Sequence, residues 1–379
     1  MDLQSLTYSQ FLGGPQEWQL QGLALGKVNL IVGRNASGKT KTLNLIANLA
    51  KLLTGQTKLT YHSGDYDIRF SNNGNTLIYQ VKYESAKVLH EKFICNNESR
   101  LTRSQGGKGE IFAKAESRNI RFQTPENELA VVARRDDIQH PFLQPLHDWG
   151  KGVHHYLFGE KLGQDRMVAF TKDSIEEAAL GDTNNVVAIY RKGDADFPGG
   201  FKSAIIRDMG KVFYPLDDLG IAAPISLTVS SPMPFVVLYV QEKGLPAKVD
   251  QLDMSQGMFR ALSVIIQLNY LQLTGHSGCI LIDDIGEGLD FERSCAFIKL
   301  IVAKAEETSA QLVMTSNDRF VMNVVPLKFW SVINRKGPIC QVLNYQNSRE
   351  VFDRFAFTGL SNFDFFATDF IVDEAAPDE

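Results

Sequence analysis

The stretch Lys27–Ala50, "KVNLIVGRNASGKTKTLNLIANLA", decides how the rest of the chain is read. Val28 to Val32 form a short, unbroken apolar run, which predicts a buried strand. Gly33, Arg34, Asn35, Ala36, Ser37, Gly38, Lys39 and Thr40 follow in the order G-x-x-x-x-G-K-[ST], with Lys41 next. Leu43, Ile46, Ala47 and Ala50 then recur at helical spacing. Strand, glycine-rich loop and helix therefore stand in the order that a phosphate-binding loop requires. Gly33 and Gly38 let the backbone curl until its N–H groups face a phosphate. The helix opening near Lys39 adds the positive end of its dipole. In such a loop Lys39 reaches the β- and γ-phosphates of a nucleotide, and the Thr40 hydroxyl ligates Mg2+.

More than two hundred residues downstream the chain reads "CILIDDIGEGLDFERS" from Cys279. Ile280 to Ile282 predict a second buried strand with Asp283 and Asp284 at its end. Beside a phosphate-binding loop, one such carboxylate holds Mg2+ and its neighbour orients or deprotonates the attacking water. Two acids capping a following helix is the plainer alternative. Upstream, Ser255, Gln256 and Gly257 precede apolar residues at helical spacing, a polar turn leading into a buried helix. On its own, Ser255 reads equally well as an ordinary helix N-cap.

Taken together, these motifs resemble the ATP-binding-cassette ATPase heads of the SMC and RecF type. The resemblance covers roughly residues 1–55 and 245–335. It implies ATP and Mg2+ as ligands, with Asp283 on the metal and Asp284 in the place of the catalytic glutamate. Glu287 to Asp290 become the D-loop, and Ser255 and Gly257 contact the γ-phosphate bound to a second copy. Three departures stand out. Asp284 is one methylene shorter than glutamate, Met258 stands where the signature commonly has Gln, and Ser316 stands at the switch-histidine position. Neither Ser316 nor Asn317 acts as an imidazole base, so the resemblance implies slow, regulated hydrolysis.

The net charge of −5 provides no bulk positive field for nucleic acid or acidic lipid. Cys95, Cys279, Cys295 and Cys340 form no Cys-x-x-Cys pair and fit reduced thiols. The opening "MDLQSLTYSQFLGG" lacks the order of a signal peptide, and no apolar run approaches the roughly 20 residues of a membrane helix. A cytoplasmic protein without membrane partners is expected. "IRFSNNGNTLIYQVKY" predicts a hairpin, in which Gln80 reads as a strand residue on a solvated face, with a Q-loop glutamine as the alternative. Residues 92–121 hold seven basic residues against three acidic ones. With Gly106, Gly107 and Gly109 among them, they read as a mobile basic hairpin or loop, solvated or gripping nucleic-acid phosphates. Arg134 and Arg135 read as γ-phosphate sensors or as salt-bridge partners of Asp136 and Asp137, and the pairing is the expectation taken. The C-terminal "FDFFATDFIVDEAAPDE" reads as a docking segment and a frayed acidic tail.

The expected fold is α/β, a P-loop NTPase of the ABC/SMC-head type: a mixed sheet core, an antiparallel β lobe and an inserted, mainly helical lobe. Residues 1–90 and 246–345 would be the two ATPase halves, 91–245 the inserted lobe, and 346–379 the docking segment and tail. No long heptad run appears. Stand-alone heads of this kind resemble the ATPase components of bacterial anti-phage or toxin systems. The resemblance therefore implies an ATP-dependent homodimer that gates an effector in trans, a nuclease or toxin. The alternative is a RecF-like, DNA-binding ATPase of recombination and repair.

Overall fold

The computed structural model describes all residues except 61, 170–180, 228–232, 369 and 371–379. In chain order come β1 (Asp2–Gln10), β2 (Trp18–Ala24), β3 (Val28–Val32), α1 (Lys39–Leu53), β4 (Gly64–Asn72), β5 (Asn75–Glu84) and β6 (Lys87–Cys95). β7 (Glu98–Ser104), β8 (Lys108–Ala113), β9 (Arg118–Gln123), α2 (Ala130–Ala133), α3 (Gln144–Lys151), β10 (Val153–Leu157) and β11 (Val168–Ala169) follow. Then come α4 (Val186–Asp196), α5 (Gly200–Lys211), β12 (Leu216–Ala222), β13 (Phe235–Glu242), β14 (Lys248–Asp250), α6 (Gln256–Thr274) and β15 (Gly278–Asp283). The last are α7 (Phe291–Glu307), β16 (Ala310–Thr315), α8 (Arg319–Val324), β17 (Trp330–Lys336), β18 (Ile339–Asn344), α9 (Arg349–Ala356) and α10 (Asn362–Ala367). The chain divides into two compact units, residues 1–153 with 326–379, and residues 154–325.

In the first unit the strands run β3-β17-β18-β2-β1-β4-β5-β6-β7-β8-β9. β3 pairs parallel with β17 and β18 pairs parallel with β2, whereas β2, β1 and β4 to β9 form an antiparallel series. The sequence accounts for the difference. Every residue of β3 is buried, as in a strand covered on both faces. β5 instead alternates buried and more exposed positions, the pattern of a sheet with one wet face. Asn73 and Gly74 join β4 to β5 with φ of 49° and 82°, the left-handed pair that a two-residue hairpin favours. Gln80 sits on the wet face and donates to Asp67 at 2.9 Å. At the C-terminal end, Phe352, Phe355 and Phe365 are buried, and Phe365 lies 4.7 Å from each of the other two rings. The acidic tail at 371–379 lies outside the described residues.

Three expectations need correction. Residues 92–121 are the end of β6 and the strands β7, β8 and β9. Gly107 and Gly109 approach the backbone too closely for any side chain, since an added Cβ would lie 2.1 Å from Thr124 O and 2.2 Å from Thr102 O. Their glycines therefore mark tight strand packing, not slack. Arg134 and Arg135 do not pair with Asp136 and Asp137. Arg134 donates to Gln123 O and Arg135 to Gln144 Oε1, because the end of α2 turns both toward neighbouring elements. Among the described residues, 91–245 also carry at least as much strand as helix, since charge and glycine content concealed the alternation of β7 to β9.

Inside that series Glu91 and Arg103 are fully buried and 3.3 Å apart. Glu91 also accepts from Ala130 N at 2.7 Å, Val131 N at 3.0 Å and the Tyr79 hydroxyl at 3.1 Å. Arg103 donates in turn to Glu128 O and Pro125 O. The pair fastens the start of α2 to the sheet.

In the second unit β10-β15-β16 lie side by side, with β15 and β16 parallel. A separate antiparallel group runs β11-β13-β12, with β14 on β13. α6 is apolar around most of its circumference and buried over most of its length, as a central helix must be. Lys304 of α7 reaches Asp208 of α5 at 2.7 Å and Asn269 of α6 at 3.0 Å, tying three helices by one buried cation.

Candidate functional site

Each unit carries one set of the motif residues. In the first, β3 delivers the loop Gly33–Gly38 to the N-terminus of α1. A Cβ on Gly33 would lie 2.5 Å from Ser37 Oγ and 2.9 Å from Ile333 O, so only glycine closes the loop against β17. Ala36 and Gly38 take left-handed φ of 61° and 111°. Beneath Gly38 lie the Trp18 ring and Cys340 Sγ, and Cys340 Sγ donates to Ser37 O at 3.2 Å. Arg335 of β17 donates to Ala36 O at 3.1 Å. The loop is thus held from below by β2, β17 and β18.

The electrostatics of this loop favour an anion. α1 starts without a side-chain cap and without an acid in its first turn, which leaves its positive end uncompensated by the chain itself. Lys39 is buried and rests on the carbonyls of Gly33 at 2.9 Å and Arg34 at 3.3 Å. Ser37 Oγ is buried with no hydrogen-bond partner. Thr40 is exposed at the helix start. A cleft of about 460 Å³ opens beside them, lined by Trp18, Lys39, Thr40, Lys41 and Arg335 among others. Lys41 stacks on Trp18 at 4.2 Å, and burial, then the neighbouring Arg335, pushes its ammonium below the usual lysine range. An orphaned hydroxyl, a glycine cradle and clustered cations fit the phosphates of a nucleotide.

In the second unit β15 ends on Asp283, which is buried, and Asp284 follows it with a left-handed φ of 53°. That conformation is uncommon outside glycine and marks residues held by their surroundings. Phe158 N donates to Asp283 O at 3.1 Å from the strand on the other side. Ser255 accepts from Met258 N at 3.3 Å and so caps α6. A Cβ on Gly257 would meet Gly288 O at 2.3 Å, which packs the start of α6 directly against the Glu287–Asp290 loop. Arg260, one turn along α6, is buried and donates to Glu287 O at 3.0 Å and Glu160 O at 3.2 Å. Gln256 is exposed at the helix start. Asp290 caps α7, and the Arg293 N–H and guanidinium hold its carboxyl below the usual range.

Sequence reading missed several of these residues. Thr315 bonds both aspartates, Arg260 braces the Glu287–Asp290 loop, and Trp18, Arg335 and Cys340 form the floor of the glycine-rich loop. Arg260 carried one available signal, a charged residue at a buried helical position. Ser316 Oγ donates to Ile285 O at 3.3 Å and accepts from Asp318 N at 3.0 Å.

The glycine-rich loop between β3 and α1 and the acid-tipped β15 beside β16 define the architecture. The fold is that of an SMC head. A solved SMC head bound to the C-winged helix domain of ScpA matches with a TM-score of 0.52 at 13% identity, covering 90% of this chain and 97% of that one. The SMC head with an extended coiled coil bound to the C-terminal domain of ScpA, from Pyrococcus furiosus, also matches at 0.52. Its identity is 11%, with 93% and 99% covered. No family model and no curated protein sequence matches the chain. At these identities the likeness shows the SMC-head fold and leaves the chemistry to the residues themselves. Among the described residues no helix is long and apolar enough to cross a membrane.

Proposed function

We propose that this chain is an SMC-head-type ATPase, that two copies close on ATP, and that closure gates a partner protein. The observation that carries the reading is the loop Gly33–Thr40, with its orphaned Ser37 hydroxyl and uncapped helix start. The backbone of Gly33 to Gly38 wraps the phosphates, with Arg34, Asn35 and Ala36 at the rim. Lys39 exchanges its two loop carbonyls for β- and γ-phosphate oxygens, and Thr40 offers its exposed hydroxyl to Mg2+. Lys41, Trp18 and Arg335 border the rest of the nucleotide. Asp283 offers a carboxylate oxygen to the cation, while Asp284 orients or deprotonates the attacking water. When bound, Mg2+ offsets phosphate charge and polarises the γ-phosphoryl group. Ser255, Gln256 and Gly257 present the N-terminus of α6 to the γ-phosphate held by a second copy, and Asp290 closes the adjoining loop.

Turnover is slow in this reading, below about one per second, because Ser316 is engaged by backbone groups and no imidazole takes its place. Residues 1–90 and 246–345 act as the two ATPase halves, 91–245 as the inserted lobe, and 346–379 as docking segment and tail. Two structures with this fold hold a domain of another protein, which supports a protein effector in trans. By resemblance it is a nuclease or toxin of an anti-phage system, acting in the cytoplasm. The DNA-repair reading is weakened by the pairing of Arg100 with Glu98, Arg103 with Glu91 and Arg118 with Glu116.

The test is native mass and nucleotide binding with ATP and Mg2+ for three proteins. The wild type dimerises on ATP, Lys39→Ala binds none, and Asp284→Asn binds and stays dimeric. Equal masses with and without ATP in all three would overturn the closing clamp. Turnover stimulated by DNA would favour the repair factor over the effector gate.

A further inference from the structure

Thr315 ends β16, the parallel neighbour of β15, and is fully buried. Its hydroxyl lies 2.6 Å from Asp283 Oδ1 and 2.9 Å from the backbone nitrogen of Asp284. Its carbonyl accepts from Ile285 N at 2.9 Å. The directions of these bonds follow from the groups themselves. An amide N–H only donates, so Thr315 Oγ1 accepts from Asp284 and sends its own proton to Asp283. One lone pair of Asp283 Oδ1 is thereby engaged and the carboxylate is held in one orientation, so that Oδ2 is the oxygen more readily offered to a cation. The three bonds also hold the chain on both sides of Asp284, whose left-handed φ of 53° needs such support.

We propose that Thr315 is the positioning residue of the acid pair: it turns one Asp283 oxygen toward Mg2+ and fixes the backbone of Asp284, so that the two carboxylates serve separate roles. The inference rests on the nucleotide-hydrolysing reading above. It asks for a hydroxyl at this position, not merely a β-branched side chain of the right volume. Serine supplies the hydroxyl, whereas valine reproduces the shape without it. Partners of metal-binding carboxylates are worth roughly ten- to a hundredfold in metal affinity.

The experiment titrates Mn2+ into the full chain with a non-hydrolysable ATP analogue, reading bound Mn2+ by electron paramagnetic resonance. Nucleotide binding in EDTA and the melting temperature are measured alongside. Thr315→Val should weaken Mn2+ about tenfold or more, Thr315→Ser should restore it to near the wild-type value, and binding in EDTA should not change. Wild-type Mn2+ affinity in Thr315→Val overturns the inference, as does loss of EDTA binding in a folded variant. If Thr315→Val does not fold, Thr315→Ala is read by the same criteria. A wild type that binds the analogue no better than Lys39→Ala overturns the ATPase reading and this inference with it. A wild type that binds normally beside an unaffected valine variant overturns this inference alone.

Discussion

Acidification should weaken the second unit through one imidazole. His154 of β10 is buried, with Nε2 3.3 Å from Gln267 of α6 and Nδ1 without a partner. Burial pushes its imidazole down from 6.5 to about 4. The unfolded chain therefore takes up a proton here below about pH 6.5, whereas the folded chain refuses it until about pH 4. Stability is lost as pH falls through that window, and the loss levels off below it. Between about pH 7.5 and about pH 5 the linkage relation gives a loss of about 2 kcal/mol. Urea unfolding of the full chain, with wild type and His154→Leu followed over that range, isolates the term, because every other group titrates alike in both. Whatever the variant's starting stability, the slope is the readout, and it should be shallower by about 2 kcal/mol over the range. Parallel curves would refute the reasoning. The consequence reaches the acid pair, since β10 borders β15 and its chain continues into Phe158, whose N–H holds the Asp283 carbonyl.

Gly33→Ala forces a methyl onto Ser37 Oγ and the Ile333 carbonyl. It should reduce ATP affinity at least about tenfold, as read by a fluorescent nucleotide, while far-ultraviolet circular dichroism stays unchanged. Glu91→Ala strands the buried Arg103 and should lower unfolding free energy by about 3–5 kcal/mol. The double change Glu91→Leu with Arg103→Met should recover most of it in the same urea titration.

The strand, glycine-rich turn and helix of β3 and α1 were legible because their information is local. Eight consecutive residues and two flanking patterns specify strand, turn and helix. The hairpin around Asn73–Gly74 was legible for the same reason. Ser255 was legible only in part: its capping role follows from three residues of sequence, but the contact of Gly257 with Gly288 joins segments far apart in the chain. Arg103 shows where counting charge misleads. In a list of bases it belongs to a basic loop, yet strand alternation turns it inward onto Glu91, and no local feature of "LTRSQGGKGE" announces that partner. Thr315 was overlooked because its meaning depends on which strand lies beside β15, a tertiary fact.

The order of assembly follows from how the first unit is threaded. β3 emerges early in synthesis with its glycine-rich loop attached, but the strand that pairs with it, β17, is about three hundred residues further on. Until β17 and β18 are made, the Ile333 carbonyl, Arg335 and Cys340 are missing from beneath the loop. Such long-range pairing is slow and leaves an apolar strand exposed in the meantime. The nascent chain therefore carries a complete glycine-rich motif of which only Trp18 of the floor is yet made. Affinity for nucleotide should appear late and abruptly, with the arrival of residues 330–344. Nucleotide binding would then report that synthesis has reached these strands and that the unit has closed.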